Sequence, residues 1–514
     1  MEEEQPLSRF RKMSLTKIIA NGDLGNSPDS QFFSYKIEKI PLLYQKIISG
    51  LQRQLSSLAG QTSYAILNFD NDYMGQPSWN ILESLVSLNL ILAGKIIINE
   101  MRYNDVPGFY QIHLQSKYPP NITDGREINK SIGHGFGKNH NEIFSKAVGE
   151  ILERYFLTLY HSNNFIWASA QSLKEKRIPA LDLNLLAGFS EQQKEDSPRR
   201  QFSEDSKFHW EKVIRLTNGK EIYAPAQLVY WNYIHNELEP FLIEGNTSGA
   251  GGWFTQEGAI LSGLYELIQR DGFLIYWLNS LTPQAIDPHT VSHQDFQQLL
   301  AESERYGFEI YCLNLTSDIG APAFAVIIGD PTGKGPRFSL GAGCQADPAK
   351  ALSRALEEAW SVYYWIRPKP TFPALGRDYR PFRERIWQEE RLRLWANPEM
   401  AKHLEFFISG KKTSFSDLNF NYPSNFSSQK EELNFLVKKI EEMGPGYEVY
   451  AYLPSSPILK QLGYSSAKVI VPQLVPLYLN EFNAPLGSRR LKEVPKKLGF
   501  SAAAEFNPWP HLFP

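Results

Sequence analysis

A chain of 514 residues with 42% hydrophobic and 13% aromatic residues can bury a large core and has the make-up of a folded globular protein, not a disordered one. Its formal net charge of −3 offers no basic face for nucleic acid, and two cysteines, Cys312 and Cys344, make neither a disulfide framework nor a zinc site and fit a reducing compartment. The opening MEEEQPLSRFRK has no apolar stretch of the kind a secretory signal carries, and the most apolar run, Ile81 to Ile98, is interrupted by Glu83, Asn89 and Lys95, so a soluble, cytoplasmic protein without a membrane span is expected.

Residues 1–60 carry little signal. From 61 to 115, apolar runs (AILNF, KIIINEM, FYQIHLQ) alternate with turn residues and predict strands and a helix. The glycine-rich SIGHGFG (131–137) then leads into a helix that ends in Glu150-x-x-Glu153-Arg154. On that helix Ile143, Ala147, Ile151, Tyr155 and Leu159 form an apolar stripe, with Lys146, Glu150, Glu153 and Arg154 on the other face. Taken alone, Glu150 and Arg154 are an (i, i+4) surface pair worth about 0.2–0.5 kcal/mol.

The tract Ser190 to Lys207 is dense in polar and charged residues and predicts an exposed loop, followed by a strand over EIYAPAQLVYW (221–231). A second glycine stretch, GNTSGAGG (245–252), leads into a helix N-capped by Thr255 and carrying Glu266-x-x-Gln269-Arg270-Asp271. Between Thr255 and Leu278 the only charged residues are Glu257, Glu266, Arg270 and Asp271, which predicts a mostly buried helix. Buried charges need partners or a ligand. Asp271 falls on the apolar stripe and is expected to anchor a backbone turn.

Two strands are expected within YGFEIYCLNLT and PAFAVIIGD (306–330). A third glycine stretch, SLGAGC (339–344), meets a helix that starts with Asp347 as N-cap and Pro348 at its first position and places Arg354 and Glu358 together. Residues 374–440 predict helices and loops, and a last strand pair is expected near YEVYAYL (447–453) and AKVIVPQLVPLY (467–478). The closing FNPWPHLFP cannot be a helix or a central strand because of Pro508, Pro510 and Pro514. Glycines in such stretches serve close packing or turns as readily as phosphate binding, and no GxxxxGK[ST] pattern is present. His134, between glycines, reads as structural or as a neighbour of a ligand, and Cys344 as a buried small hydrophobe.

The recurrence of glycine stretch, helix, carboxylate and arginine resembles the YcaO family, in its azoline-forming cyclodehydratase branch. The resemblance rests on Glu150-Ile-Leu-Glu153-Arg154, Glu266-Leu-Ile-Gln269-Arg270-Asp271, Arg354-Ala-Leu-Glu357-Glu358, AKVIVPQLVPL and NPWPHLFP. It implies an α+β fold, with mixed or antiparallel sheets and helices around a central nucleotide cleft. The implied domain covers 125–514 with a proline-rich tail at 506–514, and 1–124 forms an N-terminal region for partner or peptide contact. It implies ATP and Mg2+ as cofactors, held by Lys146, Glu150, Glu153, Glu266, Gln269, Arg270, Arg354 and Glu358, with Glu150, Glu153, Glu266 and Glu358 at the metal.

The implied reaction is cyclodehydration of Cys, Ser or Thr in a ribosomally made precursor peptide to thiazolines or oxazolines. The tail reaches toward the site, with Pro514 and His511 as catalytic candidates and His511 a proton carrier. A separate leader-binding partner of the E1-like, ocin-ThiF type is implied as well, because no leader-binding module is evident here, and a homodimer is allowed. Departures stand at Lys146 for a serine, Thr247 for an asparagine, Gly258 for a glutamate and Gln269 for a glutamate. They leave a non-catalytic scaffold in a peptide-modifying complex as an alternative, beside thioamide or amidine formation within the same fold.

Overall fold

The computed structural model describes residues 30–36, 97–103, 110–116, 131–137 and 140–514, apart from 368, 370, 376–377, 457–458 and 461–462. The expected strand AILNF and the helix beginning at Ile81 lie outside the described residues. Contacts divide the chain into two compact units. One is Met1–Ser162 with Gly252–Phe254 and Pro454–Ser466, the other Asn163–Gly251 with Thr255–Leu453 and Ala467–Pro514. The sequence suggests a division at 124/125, whereas this one follows Ser162, because the first glycine stretch completes a sheet with strands from the N-terminal region.

That sheet is antiparallel, in the order β1 (Ser30–Lys36), β2 (Ile97–Tyr103), β3 (Tyr110–Ser116), β4 (Ser131–Gly137). The register of β3 on β4 sets His113 opposite His134. Helix α1 (His140–Phe156) packs on β4, and Ile143, Ala147, Ile151 and Tyr155 are its buried stripe as the periodicity predicts.

The second unit holds most of two further sheets. One has six strands: β5 (Ile166–Ser169), β6 (Lys207–Arg215), β14 (Tyr450–Tyr452), β15 (Ser465–Ile470) and β8 (Ala250–Trp253) in that order, with β7 (Glu221–Pro225) on β6. The other runs β12 (Phe338–Cys344), β11 (Ala323–Gly329), β10 (Glu309–Asn314), β9 (Gln284–Ile286), β13 (Lys412–Thr413). It is antiparallel except where β13 joins β9. Mixed sheets with helices make this an α+β fold.

Helix α2 (Gln256–Leu278) begins at Thr255, whose Oγ1 accepts from Gly258 N at 3.1 Å, and most of its residues are buried. Helix α3 (Pro348–Ile366) begins at Asp347, whose carboxylate accepts from Ala349 N and Lys350 N. A shorter helix, α4 (Gln388–Trp395), follows. Phe273, Trp277, Leu278, Trp395 and Phe407 form the core around the second half of α2, and Leu264, Ile268, Leu436 and Val469 the core around the first half.

The first and third glycine stretches are strands, β4 and β12, while the second is a turn through Gly249 that enters β8 at Ala250. A methyl group at Gly341 of β12 would collide with Ala355 O and Ala359 N of α3, and one at Gly343 with Ala351 O. Side chains there would force strand and helix apart. The same offsets of 14 and 8 residues join Gly133 to Ala147 and Gly135 to Ile143, and Gly249 to Gly263 and Gly251 to Ala259. The closeness of strand to helix is thus built three times in one chain.

Three local expectations are corrected. The strand expected over 221–231 stops at Pro225, and Ala226–Val229 forms a short buried helix, since an apolar run hidden on every side reads alike for either element. The polar tract after 190 is not a free loop. Ser190 and Gln193 make a capping box at Glu191–Asp196, and Arg200 is buried between the rings of Phe189 and Phe482, at 4.3 and 4.0 Å. Residues 471–478 are not strand, because β15 ends at Ile470 and Pro472 and Pro476 follow.

Asp271 anchors backbone as expected, accepting from Val475 N at 3.0 Å, and it also pairs with the fully buried Arg490 at 2.6 Å. Arg490 reaches Asp318 at 2.8 Å as well. Removing the cation would leave Asp271 charged and unpaired in the core. Arg490→Met is expected to lower the unfolding free energy by about 3–5 kcal/mol in denaturant titration, and a loss below about 1 kcal/mol would show the pair to be solvated.

Candidate functional site

Each of the three main helices lends a glutamate to a backbone amide of the glycine stretch that precedes it. Glu150 Oε2 accepts from His134 N at 2.6 Å, Glu266 Oε2 from Gly249 N at 2.8 Å and Glu358 Oε2 from Ala342 N at 2.7 Å. The separations along the chain are 16, 17 and 16 residues. Only strands stripped to glycine lie close enough for a helix carboxylate to reach a backbone amide. One oxygen of each thereby serves the scaffold, and on Glu150 and Glu266 the other meets an arginine one turn on.

In the first unit, the outer oxygen of Glu150 pairs with Arg154 Nη2. Lys146, Glu150, Glu153 and Arg154 are all half-buried on α1. The ring of His134 lies beside Gln111 Nε2, and its pKa falls to about 4, through burial first and then through Arg154 and Lys146. A neutral imidazole at physiological pH follows.

In the second unit α2 and α3 come together. Glu266 Oε1 pairs with Arg270 Nη2 at 2.7 Å, and Arg270 Nη1 donates to the buried Ser248 Oγ at 2.7 Å. Arg270 Nε is buried with no hydrogen-bond partner. On α3, Arg354 is exposed, and the Gln345 amide, turned so that its oxygen faces the guanidinium, accepts from Arg354 Nε at 3.1 Å and Nη1 at 2.7 Å. Glu358 feels Arg270, Glu266 and Arg354 at once. These four residues therefore occupy one electrostatic neighbourhood, and Gln269 stands half-buried beside Arg270 on α2.

By surface area Glu358 is only partly covered, yet its carboxyl is crowded enough that desolvation lifts its pKa to about 7. The repulsion of Glu266 adds to this, and the Ala342 amide with the two arginines opposes it. Among the described residues no three His, Cys, Asp or Glu side chains are grouped to hold a metal by themselves.

Sequence reasoning missed Lys468 and Asn246. Lys468 is buried and donates to Asn246 O at 2.8 Å and Ser248 O at 2.7 Å, so a lysine from β15 fixes the loop that holds Arg270. A buried lysine inside AKVIV was the only available signal. Asn246, Ser248 and Lys468 with Leu267 and Ile243 line a cleft. Cys344 is buried and its thiol pKa is pushed up by burial, the small hydrophobe the sequence suggests.

The segment 501–514 has neither helix nor strand and runs back along α2. Asn507 N donates to Leu278 O at 2.7 Å, Trp277 Nε1 to Trp509 O at 3.1 Å, and the Phe513 ring lies 4.9 Å from Phe273. Its direction is toward Arg270, close enough to His511 to depress that ring's pKa. His511 is fully buried, donates from Nε2 to Tyr478 O at 3.1 Å, and its pKa is held well below the usual value by burial above all. The ring is neutral and closed off, placed to hold the tail and not to exchange protons with a substrate. Pro514 is half-exposed.

The sign of the Glu358 shift gives a pH dependence. A carboxyl with a folded pKa of about 7 against 4.5 unfolded contributes stability below pH 4.5 and loses it as pH rises through 7. The ligand-free protein is therefore expected to lose thermal stability over that window, and Glu358→Gln to remove most of the decline. Equal slopes for both proteins in melts across pH 4.5 to 8 would contradict the assignment.

Comparison with known proteins fits this geometry. Residues 134–475 match the family model of the YcaO cyclodehydratase, described as ATP- and Mg2+-binding. An uncharacterized protein in the tfuA 3′ region of Rhizobium leguminosarum bv. trifolii is 26% identical over 239 residues, which is 45% of this chain and 54% of that protein. An uncharacterized protein of Methanothermobacter thermautotrophicus is 29% identical over 154 residues, 30% of this chain and 40% of that one. The chain thus spans about half the length of these relatives or less.

Among solved structures, a heterocyclase in complex with substrate and cofactor superposes with a TM-score of 0.61 at 24% identity, over 80% of this chain and 54% of that one. The heterocyclase TruD gives 0.57 at 21%, over 91% and 70%. YcaO from Methanopyrus kandleri, bound with AMPPCP and Mg2+, gives 0.50 at 17%, over 71% and 82%. These structures show the fold, and among the described residues no helix is long and apolar enough to cross a membrane. The chain belongs to the YcaO cyclodehydratase family, and ATP and Mg2+ are its cofactors.

Proposed function

We propose that this chain catalyses the ATP-dependent cyclodehydration of Cys, Ser or Thr residues in a ribosomally made precursor peptide to thiazolines or oxazolines. The observation that carries the reading is the gathering of Glu266, Arg270, Arg354 and Glu358 into one neighbourhood within an ATP- and Mg2+-binding family. The residues fit the cofactors. Mg2+ keeps several waters and is held by one or two carboxylates together with phosphate oxygens, so Glu266 and Glu358 suffice without a protein cage. Arg270 has a buried, unpartnered Nε, and Arg354 is exposed, so both suit a polyanion.

Bound ATP would supply the phosphoryl group that turns an amide oxygen into a leaving group, and Mg2+ the charge that offsets its phosphates. In the peptide, the side-chain sulfur or oxygen gives up its proton and bonds to the preceding carbonyl carbon, the carbonyl oxygen departs as phosphate, and the amide nitrogen loses its proton as the C=N bond forms. The peptide loses one water per ring, and ATP becomes ADP and phosphate.

The protein's part is electrostatic. Arg270 and Arg354 take up negative charge that grows on the phosphate oxygens, and Ser248 and Gln345 hold the two guanidinium groups in place. Glu358 would hold Mg2+ as a carboxylate, in place of the proton that its desolvation favours. On α1 the assignment rests on the sequence pattern alone: Lys146 for phosphate, Glu150 and Glu153 for Mg2+. Gln269 lowers the negative charge next to Arg270. Pro514, half-exposed at the end of the tail, is retained as the catalytic candidate on the strength of the resemblance, and a separate partner protein is proposed to deliver the peptide.

With precursor peptide, a leader-binding partner and MgATP, the protein is expected to release phosphate and lower the peptide mass by one water per ring. Exchange of oxygen for sulfur would raise the mass and point to thioamide chemistry instead. Glu266→Ala and Arg354→Ala should each cut turnover by about 10²–10³-fold, the usual scale for lost transition-state charge stabilisation, with the folded state retained. Unchanged turnover in both would overturn the assignment.

A further inference from the structure

Beneath the tail lies a set of buried polar groups that the proposed reaction does not use. Arg391, on α4, and Glu481 are both fully buried, with Arg391 Nη1 3.7 Å from Glu481 Oε1. Arg391 Nη1 also donates to Leu479 O at 2.8 Å and Tyr478 O at 3.3 Å. Arg391 Nε and Nη2, both oxygens of Glu481, the Tyr478 hydroxyl and His511 Nδ1 have no hydrogen-bond partner, although Glu481 faces both the Tyr478 hydroxyl and the His511 backbone N–H. Taking two charges out of water for so loose a pair is a poor way to stabilise a core, since well-packed apolar side chains would do as well or better. Such a cluster calls for a role other than stability.

Its surroundings show what it touches. The Arg391 guanidinium grips the 478–479 backbone, and His511 Nε2 donates to the same Tyr478 carbonyl. On the far side of the tail, Trp395 Nε1 donates to Pro510 O at 2.8 Å, and Asn279 Oδ1 accepts from Ala503 N at 3.0 Å. His403 stacks on Trp509 at 3.7 Å. Core side chains therefore hold the segment at successive points, and the Arg391–Glu481 pair meets it at the His511 backbone N–H.

We propose that the Arg391–Glu481 pair, with Tyr478 and His511, is a lock that fixes residues 507–514 along α2 and so sets Pro514 toward the Arg270 end of the site. Arg391 and Glu481 are positioning residues, and their effect on ring formation rests on the function proposed above. An ion pair suits this better than an apolar contact because its direction specifies one seat for the tail, where grease would allow the segment to slide.

The test compares the wild-type protein with Glu481→Gln and, because that change strands Arg391, with the double variant Arg391→Met, Glu481→Leu, which replaces the pair by apolar groups. In hydrogen exchange, amides 507–513 are expected to exchange about tenfold faster in either variant, while α2 from 263 to 278 keeps its protection. The affinity for MgATP should stay within about twofold, and rings formed per ATP consumed should fall by about tenfold. Unchanged exchange in 507–513, or equal loss of protection along α2, would overturn the lock. Absence of rings with the wild-type protein would instead sink the proposed function, and the exchange measurement would still decide the lock.

Discussion

A carboxylate that reaches down from a helix to a backbone amide of the glycine stretch that precedes it is the contact on which the arrangement rests. It occurs at Glu150 on His134, at Glu266 on Gly249 and at Glu358 on Ala342. It exists only because glycines at fixed offsets let helix backbone and strand backbone touch. A charge-assisted hydrogen bond to a main-chain donor holds the side chain in one rotamer. The second oxygen is then fixed in space without the entropy cost of ordering a flexible surface glutamate when a ligand arrives. An arginine one turn further, Arg154 or Arg270, meets that oxygen on the two helices where it is present.

Within the second unit this pre-ordering has an electrostatic consequence. Two carboxylates and two guanidinium groups share one region, and the proton affinity of Glu358 is raised because desolvation and Glu266 outweigh its positive neighbours. A site in that state is short of positive charge around its carboxylates and short of negative charge around Arg354 and Arg270 Nε. A divalent cation that carries phosphate oxygens with it answers both deficits at once. A bare metal or a bare anion would answer one. This is why MgATP, more than either component, suits these residues, and why family membership and local geometry agree.

Much of this was legible in the sequence, and the parts that were not failed for identifiable reasons. Thr255, Asp347 and Pro348 announce helix starts through side-chain chemistry that acts within four residues, and the strands at 309–314 and 323–329 carry uninterrupted apolar runs. The strand character of SIGHGFG, GAGG and SLGAGC was hidden, since glycine has little intrinsic preference for strands and its place here is dictated by a helix that comes later in the chain. Glu266, Arg270, Arg354 and Glu358 could be grouped only through the repetition of one pattern and the family resemblance that it carries. Lys468, Arg391 and Glu481 left no local mark, because each acts through partners fixed by long-range folding. His511 looked available on a proline-rich tail, and burial against Phe273 and Tyr478 removed it from proton chemistry.

The central claim is that the carboxylates and arginines of α2 and α3 hold a nucleotide with its metal. Calorimetric titration of the purified chain with ATP, in the presence and absence of Mg2+, tests it most directly. The account predicts saturable binding that needs Mg2+ and releases protons near neutral pH as Glu358 ionises. Binding with no dependence on Mg2+, or no heat from a folded sample at millimolar ATP, would contradict it.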